Sequence, residues 1–264
     1  MQLHSGLSIH IVPIQTAVHL ANYKPYFLET VADAVPSSNV LIYFDPDIVV
    51  KCQWSVIADW CARGIAAAAD ESWRMPASSP VRHSWLEWCK AHDLAVAEPS
   101  CKLDIFCNSG FVGVSRQSFG FVKLWREIQE SVVAAGFNNR EALQVPVVRG
   151  GVASGIHAFA HLDQDAFNIA LMSYAPSVSV LGPEAMDFAP GGYVLSHATG
   201  RPKPWEHSGV AAAIRGHPPV KSHRQFLEYA SGELTAISRF SVIQRRLAYK
   251  LSRMIGAIYR RDDY

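Results

Sequence analysis

Two hydrophobic periods alternate along the chain. Val40-Leu41-Ile42-Tyr43-Phe44 is an unbroken run of β-branched, aliphatic and aromatic residues with no polar alternation, and it predicts a strand buried on both faces, as in a parallel sheet. Upstream, Tyr26, Phe27, Val31 and Ala34 fall at helical spacing and predict a helix over residues 23–34 that stops at the Pro36-Ser37-Ser38 turn. Leu7 to Ile14 alternates weakly and predicts a strand stopped by Pro13. Downstream, the same reasoning gives a helix over 54–62, a buried strand over 64–69 ending at Asp70-Glu71, and a loop over 72–80. It also gives a short Trp-rich helix over 84–92, a strand over 106–114 and a helix over 119–135. Residues 138–155 are rich in Gly, Asn and Val and carry no evident chemistry; they read as connections, with Arg140 and Arg149 among them. Phe167, Ala170 and Leu171 open a further helix with Asp163 as its N-cap. Strands and helices in this alternation predict an α/β fold.

Bulk properties narrow the classes of function. At 264 residues the chain makes one large domain, or one domain with a small appendage, with room for a substantial core. The formal net charge of +1 removes a whole-chain electrostatic case for nucleic acid. Five cysteines in no regular framework point to a reducing compartment, and no stretch has the length or apolarity of a membrane span or secretion signal. A cytoplasmic location follows as the expectation. Cys89-x-x-His92, with Cys101 and Cys107 beyond, has no pair-and-pair spacing for zinc and reads as ordinary buried thiols.

The candidate chemistry sits at the ends of the predicted strands, where open α/β sheets bind ligands. Asp45-Pro46-Asp47 puts two carboxylates on alternate residues across a stiff proline, a pair that a hard divalent cation can collect, although Asp and Pro are also common turn residues. Asn108-Ser109-Gly110 interrupts an apolar strand with small and amide residues, which let a ligand approach the backbone, or which mark a glycine bulge. In Ser196-His197-Ala198-Thr199-Gly200-Arg201-Pro202-Lys203-Pro204-Trp205, His197 offers an imidazole to a metal, Gly200 a backbone open to phosphate, and Lys203 a point charge.

These segments resemble, in order, the motifs of family 8 glycosyltransferases of the GT-A fold. The Asp-x-Asp of that family is matched by Asp45 and Asp47, its Asn-Ala/Ser-Gly segment by Asn108, Ser109 and Gly110, its Asp-Gln-x-x-x-Asn element by Asp163, Gln164 and Asn168, and its His-x-x-Gly-x-x-Lys-Pro-Trp loop by His197, Gly200, Lys203, Pro204 and Trp205. The resemblance implies a GT-A nucleotide-diphospho-sugar transferase fold, with a mixed, mostly parallel central sheet flanked by helices. It implies Mn²⁺ or Mg²⁺ held by Asp45, Asp47 and His197, and a donor such as UDP-glucose or UDP-galactose bound by Lys24, Asn108, Ser109, Gly110, Gly200 and Lys203. Asp163, Gln164 and Asp165 would lie at the reacting face of the sugar, and a hexose would pass to a hydroxyl of a glycan, glycolipid or protein with retention at the anomeric carbon. The stretch before Asp45 is shorter than the base-gripping segment of that family. An inverting transferase, or a GT-A-like binding protein without activity, therefore stands as the alternative.

The domain is expected over residues 1–238. Over 239–264 a basic amphipathic helix follows, in which Phe240, Val242, Ile243, Leu247, Leu251, Ile255 and Ile258 interleave with Arg245, Arg246, Lys250, Arg253, Arg260 and Arg261. Such a helix can pack its apolar stripe on the domain or lie on the inner face of an anionic membrane.

Overall fold

The two faces of the central sheet are both covered, which is why its strands lack polar alternation. A computed structural model describes residues 8, 10–96, 103–134, 159, 161–200, 203–206, 209–216, 218, 220–229 and 238–259. In chain order the elements are α1 (Lys24–Ala34), β1 (Val40–Phe44), β2 (Ile48–Val50), α2 (Trp54–Cys61), β3 (Ile65–Arg74), α3 (Pro80–Ala91), β4 (Ile105–Ser115), α4 (Gly120–Val132), α5 (Leu162–Ser173), β5 (Val178–Leu181), β6 (Leu195–His197), α6 (Gly209–Ile214), α7 (Lys221–Tyr229) and α8 (Arg239–Tyr259). One sheet has the order β1-β4-β3-β5, and β2 and β6 form a separate ribbon. Leu41 and Tyr43 of β1 pack into the larger apolar cluster with Trp125, Phe121 and Phe167, whereas Val40, Ile42 and Phe44 pack into the smaller one with Ile57, Phe111 and Met186. The alanine run of β3 divides the same way, Ala67 to one side and Ala66 and Ala68 to the other, and its small side chains let both layers close onto the sheet. Each fully buried Trp, Phe or Ile contributes on the order of 1.5–3 kcal/mol by leaving water.

The mixed α/β class holds, but the expectation of a mostly parallel sheet does not. β1 pairs with β4 antiparallel, β3 pairs with β4 antiparallel, and among the described residues only β3 and β5 are hydrogen-bonded in parallel. An unbroken apolar run reports that both faces are covered and carries no information on the direction of the neighbouring strand. Because β4 lies between them, β1 and β3 nevertheless run the same way and end on the same rim.

Other boundaries moved for local reasons. The chain at residues 10–14 is not a strand, with Ile11 93 % exposed, while Leu7 and Ile9 lie outside the described residues. β3 continues through Ser72 to Arg74 where a loop was expected, and α3 starts at Pro80, since proline is preset for the first helical turn. The 138–155 segment lies outside the described residues.

Candidate functional site

The rim shared by β1 and β3 opens into a cleft of about 650 Å³ lined by five separate parts of the sequence. Asp45 and Asp47 leave β1 at its carboxyl end. The Asp45 N–H donates to the Gly110 carbonyl (2.7 Å), continuing the β1–β4 ladder, and Ile48 of β2 pairs with His197 of β6. The Ala198 N–H closes the ribbon on the Asp47 carbonyl at 3.0 Å. This antiparallel register delivers an imidazole to two carboxylates that precede it by some 150 residues. Ligand atoms of Asp45, Asp47 and His197 all lie within 4.8 Å of one another, and His197 Nε2 is 3.2 Å from Asp47 Oδ1. Two carboxylate oxygens and one imidazole nitrogen so placed could hold a metal ion.

Gly110 explains how the three can converge. A Cβ there would lie 2.5 Å from His197 Cε1, 2.8 Å from Asn108 Oδ1 and 3.0 Å from Asp45 Oδ2, closer than side chains pack. The β3–β4 register shifts from Ala67 opposite Val112 to Ala68 opposite Asn108, so Ser109, Gly110 and Phe111 have no partner on β3. The bulge turns Asn108-Ser109-Gly110 into the cleft.

Lys24 is the hub of the opposite wall. It is 5 % exposed, and its ammonium donates to Ser109 Oγ (3.0 Å), the Ser109 carbonyl (3.2 Å), Asp163 Oδ2 (3.2 Å) and Asp45 Oδ2 (3.4 Å). Ser109 Oγ also donates to Asp163 Oδ2 at 2.9 Å. The expected N-cap role of Asp163 is thereby corrected: the N-cap is His161, without a side-chain cap, and the Asp163 carboxylate answers the buried ammonium instead. A buried cation costs far more to leave unpaired than a helix end costs to leave uncapped.

Gln164, one residue on, also lines the cleft, and its Nε2 donates to the Asp70 carboxylate at the end of the central part of β3. Asn108 Nδ2 donates to the same Asp70 oxygen at 3.4 Å. Asn168 is the staple beneath them. Fully buried, it accepts the Cys107 N–H (2.7 Å) and donates to the Cys107 carbonyl (2.8 Å) and the Gln164 carbonyl (2.8 Å), satisfying Cys107 on the β4 edge beyond the last β1 pair at Phe111.

Asp165 has a different place from Asp163 and Gln164. It is buried, and its carboxylate accepts the His161 N–H at the start of α5, 2.8 Å away, so the geometry corrects its expected position at a sugar's reacting face. Burial pushes its carboxyl well above the ordinary range, with the Asp163 charge adding to the rise against the hydrogen bond from His161.

The loop after β6 supplies the last wall. The Lys203 ammonium donates to Asp47 Oδ2 and to the Ala198 carbonyl (3.1 Å), while Thr199, Gly200 and Trp205 line the cleft. Gly200 has φ +77°, a left-handed conformation with open space around its Cα, and Arg201 and Pro202 lie outside the described residues. Burial raises the Asp47 carboxyl, but hydrogen bonds and charge from His197 and Lys203 outweigh it and hold the group down at about 2. Asp47 is therefore ionised at any pH at which a metal would bind.

Asp70, Tyr43 and the residues ahead of α1 escaped the sequence pattern. Asp70 was visible only as an acid at a strand end, although it holds both Gln164 and Asn108. Tyr43 sits in an apolar run, yet its phenol donates to Asp45 Oδ1 at 2.8 Å, and burial with the Asp45 carboxylate pushes its ionisation far above the ordinary range. Ile14, His19, Leu20 and Tyr23, ahead of α1, line the same cleft although nothing in their spacing marks them.

Protein-family models and curated proteins were compared with the chain, and none matches.

Among the described residues Cys61, Cys89 and Cys107 are buried packing residues, and Cys101 lies outside the described residues. Burial pushes the Cys61, Cys89 and Cys107 thiols up to about 12, and among the described residues the metal-ligand cluster is Asp45, Asp47 and His197. His92 stacks on Trp88, with ring centroids 4.0 Å apart.

Proposed function

We propose that the protein is a metal-dependent, retaining glycosyltransferase that moves a hexose from a nucleotide-diphosphate sugar, UDP-linked by resemblance, to a hydroxyl acceptor. One observation carries the reading: the residues of four separate motif segments, Asp45 and Asp47, Asn108 to Gly110, Asp163 and Gln164, and His197 to Lys203, line a single cleft. Unrelated turn and cap residues have no reason to converge.

The donor set fits the group. Two hard carboxylates suit Mg²⁺ or Mn²⁺, and the imidazole tilts the choice toward Mn²⁺, which accepts nitrogen more readily. A divalent cation bound there supplies positive charge to the diphosphate as it departs. Lys203, whose ammonium reaches the Asp47 side of the cleft, adds a second charge to the same leaving group. Across the cleft Asp163 and Gln164 orient the hexose, with the Gln164 amide locked by Asp70 so that its carbonyl can face the positive anomeric centre. In the transfer the bond from anomeric carbon to phosphate oxygen breaks, a bond to the acceptor oxygen forms on the same face, and the acceptor's proton goes to the departing phosphate oxygen. Asp165 takes no part in this path, because its carboxylate is committed to the His161 N–H.

The test is release of nucleoside diphosphate from a panel of nucleotide hexoses with and without Mn²⁺, followed by anomeric analysis of the product. Metal-dependent release with a retained anomer supports the reading. An inverted anomer, or no release from any donor by a folded protein, would replace it with one of the two alternatives.

A further inference from the structure

We propose that the outer face of α8 is a docking surface for an anionic lipid bilayer. Phe240, Ile243, Leu247, Leu251, Met254 and Ile258 are all exposed, Ile258 to 78 % and Phe240 to 69 %. Their spacings of three and four residues put them on one stripe of an α-helix, which over 21 residues is about 30 Å long.

Intramolecular packing does not need this stripe. The opposite face of α8 carries Val242, Ser252 and Gly256, all buried, and at Gly209 of α6 a Cβ would lie 2.8 Å from Ser252 Oγ, so the two helices already meet closely there. Arg245 donates to the Pro204 carbonyl (3.1 Å), and Arg246 to the Leu227 and Glu228 carbonyls (3.0 and 2.9 Å). α8 is thus fixed to the body with its apolar stripe turned outward.

The charge on the helix selects the occupant. Its sequence, RFSVIQRRLAYKLSRMIGAIY, contains no Asp or Glu, and the exposed Lys250 and Arg253 border the stripe on one side. A second copy packed stripe to stripe would bring together the cations of two helices neither of which carries an acid. Nucleic acid would meet the charges but leave the apolar stripe in water. An anionic bilayer satisfies both features, with the apolar side chains in the acyl boundary and the cations among headgroup phosphates. No helix among the described residues is long and apolar enough to cross a membrane, so α8 would lie in the plane of the interface. The inference is independent of the donor chemistry, although Arg245 ties the helix to Pro204, the residue after Lys203.

Co-sedimentation of the full chain with phosphatidylglycerol-containing and pure phosphatidylcholine vesicles, at low and high salt, tests it. The protein should pellet with the anionic vesicles at low salt, and high salt should release much of it, since screening shortens the reach of the charges. Leu247→Glu with Leu251→Glu should lower the bound fraction about tenfold or more, and Lys250→Glu with Arg253→Glu should also lower it. These positions are exposed, and unchanged thermal melts confirm that each variant folds; should the leucine pair fail to fold, the Lys250 and Arg253 pair decides. Recovery in the supernatant with every vesicle, or equal binding by folded variants and wild type, overturns the proposal. So does a wild-type dimer that Leu247→Glu with Leu251→Glu splits, which would assign the face to a second copy.

Discussion

On one wall of the cleft, Asp45, Asp47 and His197 are placed by backbone: they sit at the ends of paired strands, and the β2–β6 register alone sets His197 beside Asp47. On the other wall, Asp163 and Gln164 ride on the first turn of α5, which is held to β4 by side chains, chiefly Asn168 and the Lys24 hub. Ladder hydrogen bonds persist through most side-chain changes, whereas a wall held by one amide depends on that amide. The metal side should therefore tolerate changes of neighbouring side chains and fail when the backbone is crowded. The α5 wall should fail when a single hydrogen-bonding residue is cut.

The largest effect is expected for Asn168→Ala. It leaves the Cys107 N–H and carbonyl buried without their partners, so unfolding by urea should show a loss of about 2–4 kcal/mol. Turnover should fall with it while Mn²⁺ affinity per folded molecule stays near wild type; equal loss of both would join the two walls into one unit. Gly110→Ala is the converse cut. Its new methyl must displace His197 or Asp45, and calorimetry should record Mn²⁺ affinity reduced about 10- to 100-fold with the α5 wall intact. Unchanged affinity would mean that His197 is not a ligand.

If the cleft works as proposed, Gln164→Ala removes an orienting amide but no phosphate contact, so steady-state kinetics should show kcat lowered about tenfold with little change in donor affinity. A rise in KM alone would move Gln164 to the nucleotide. The smallest change concerns Asp165. Its carboxyl titrates higher in the folded than in the unfolded chain, so the residue's contribution is most favourable below the unfolded value of about 3.9 and is lost as pH rises through the folded one. Asp165→Asn should accordingly raise the melting temperature by a few degrees at pH 8 and by much less near pH 4, with activity retained. Lower stability at pH 8 would show that the ionised carboxylate holds the start of α5.

What could be read from sequence divides along the same line. β1, packed on both faces, the acids at its end and the helix at 162–173 were legible because packing and period leave a mark residue by residue. The direction of β4 was not, because strand pairing is a property of two segments, and one run of apolar residues contains no record of its neighbour. His197 was recognisable within its loop, but its approach to Asp47 depends on a three-residue ribbon with no periodic signal. Asp163 suggested a cap because that is the local use of an Asp before a helix, and only the distant Lys24 reveals the other use. Asp70 closed an alanine-rich strand and was legible as a rim acid, yet its partners lie 38 and 94 residues away. Lys24 carries the same lesson: the resemblance marks it only as a residue near the donor, and burial makes it the charge around which Asp45, Ser109 and Asp163 are arranged.

The central claim is that one cleft holds a divalent cation and a nucleotide sugar together. Its most direct test is thermal unfolding of wild type and Asp47→Ala with Mn²⁺ alone, UDP-hexose alone and both. A ligand at a hundred times its dissociation constant adds about 2.7 kcal/mol to the folded state, a shift of several degrees that is easily read. Wild type should be stabilised by the pair together well beyond the sum of the separate additions, and Asp47→Ala should lose that excess while melting cooperatively on its own. Stabilisation by the nucleotide sugar that ignores Mn²⁺, or an excess that survives in Asp47→Ala, would contradict it.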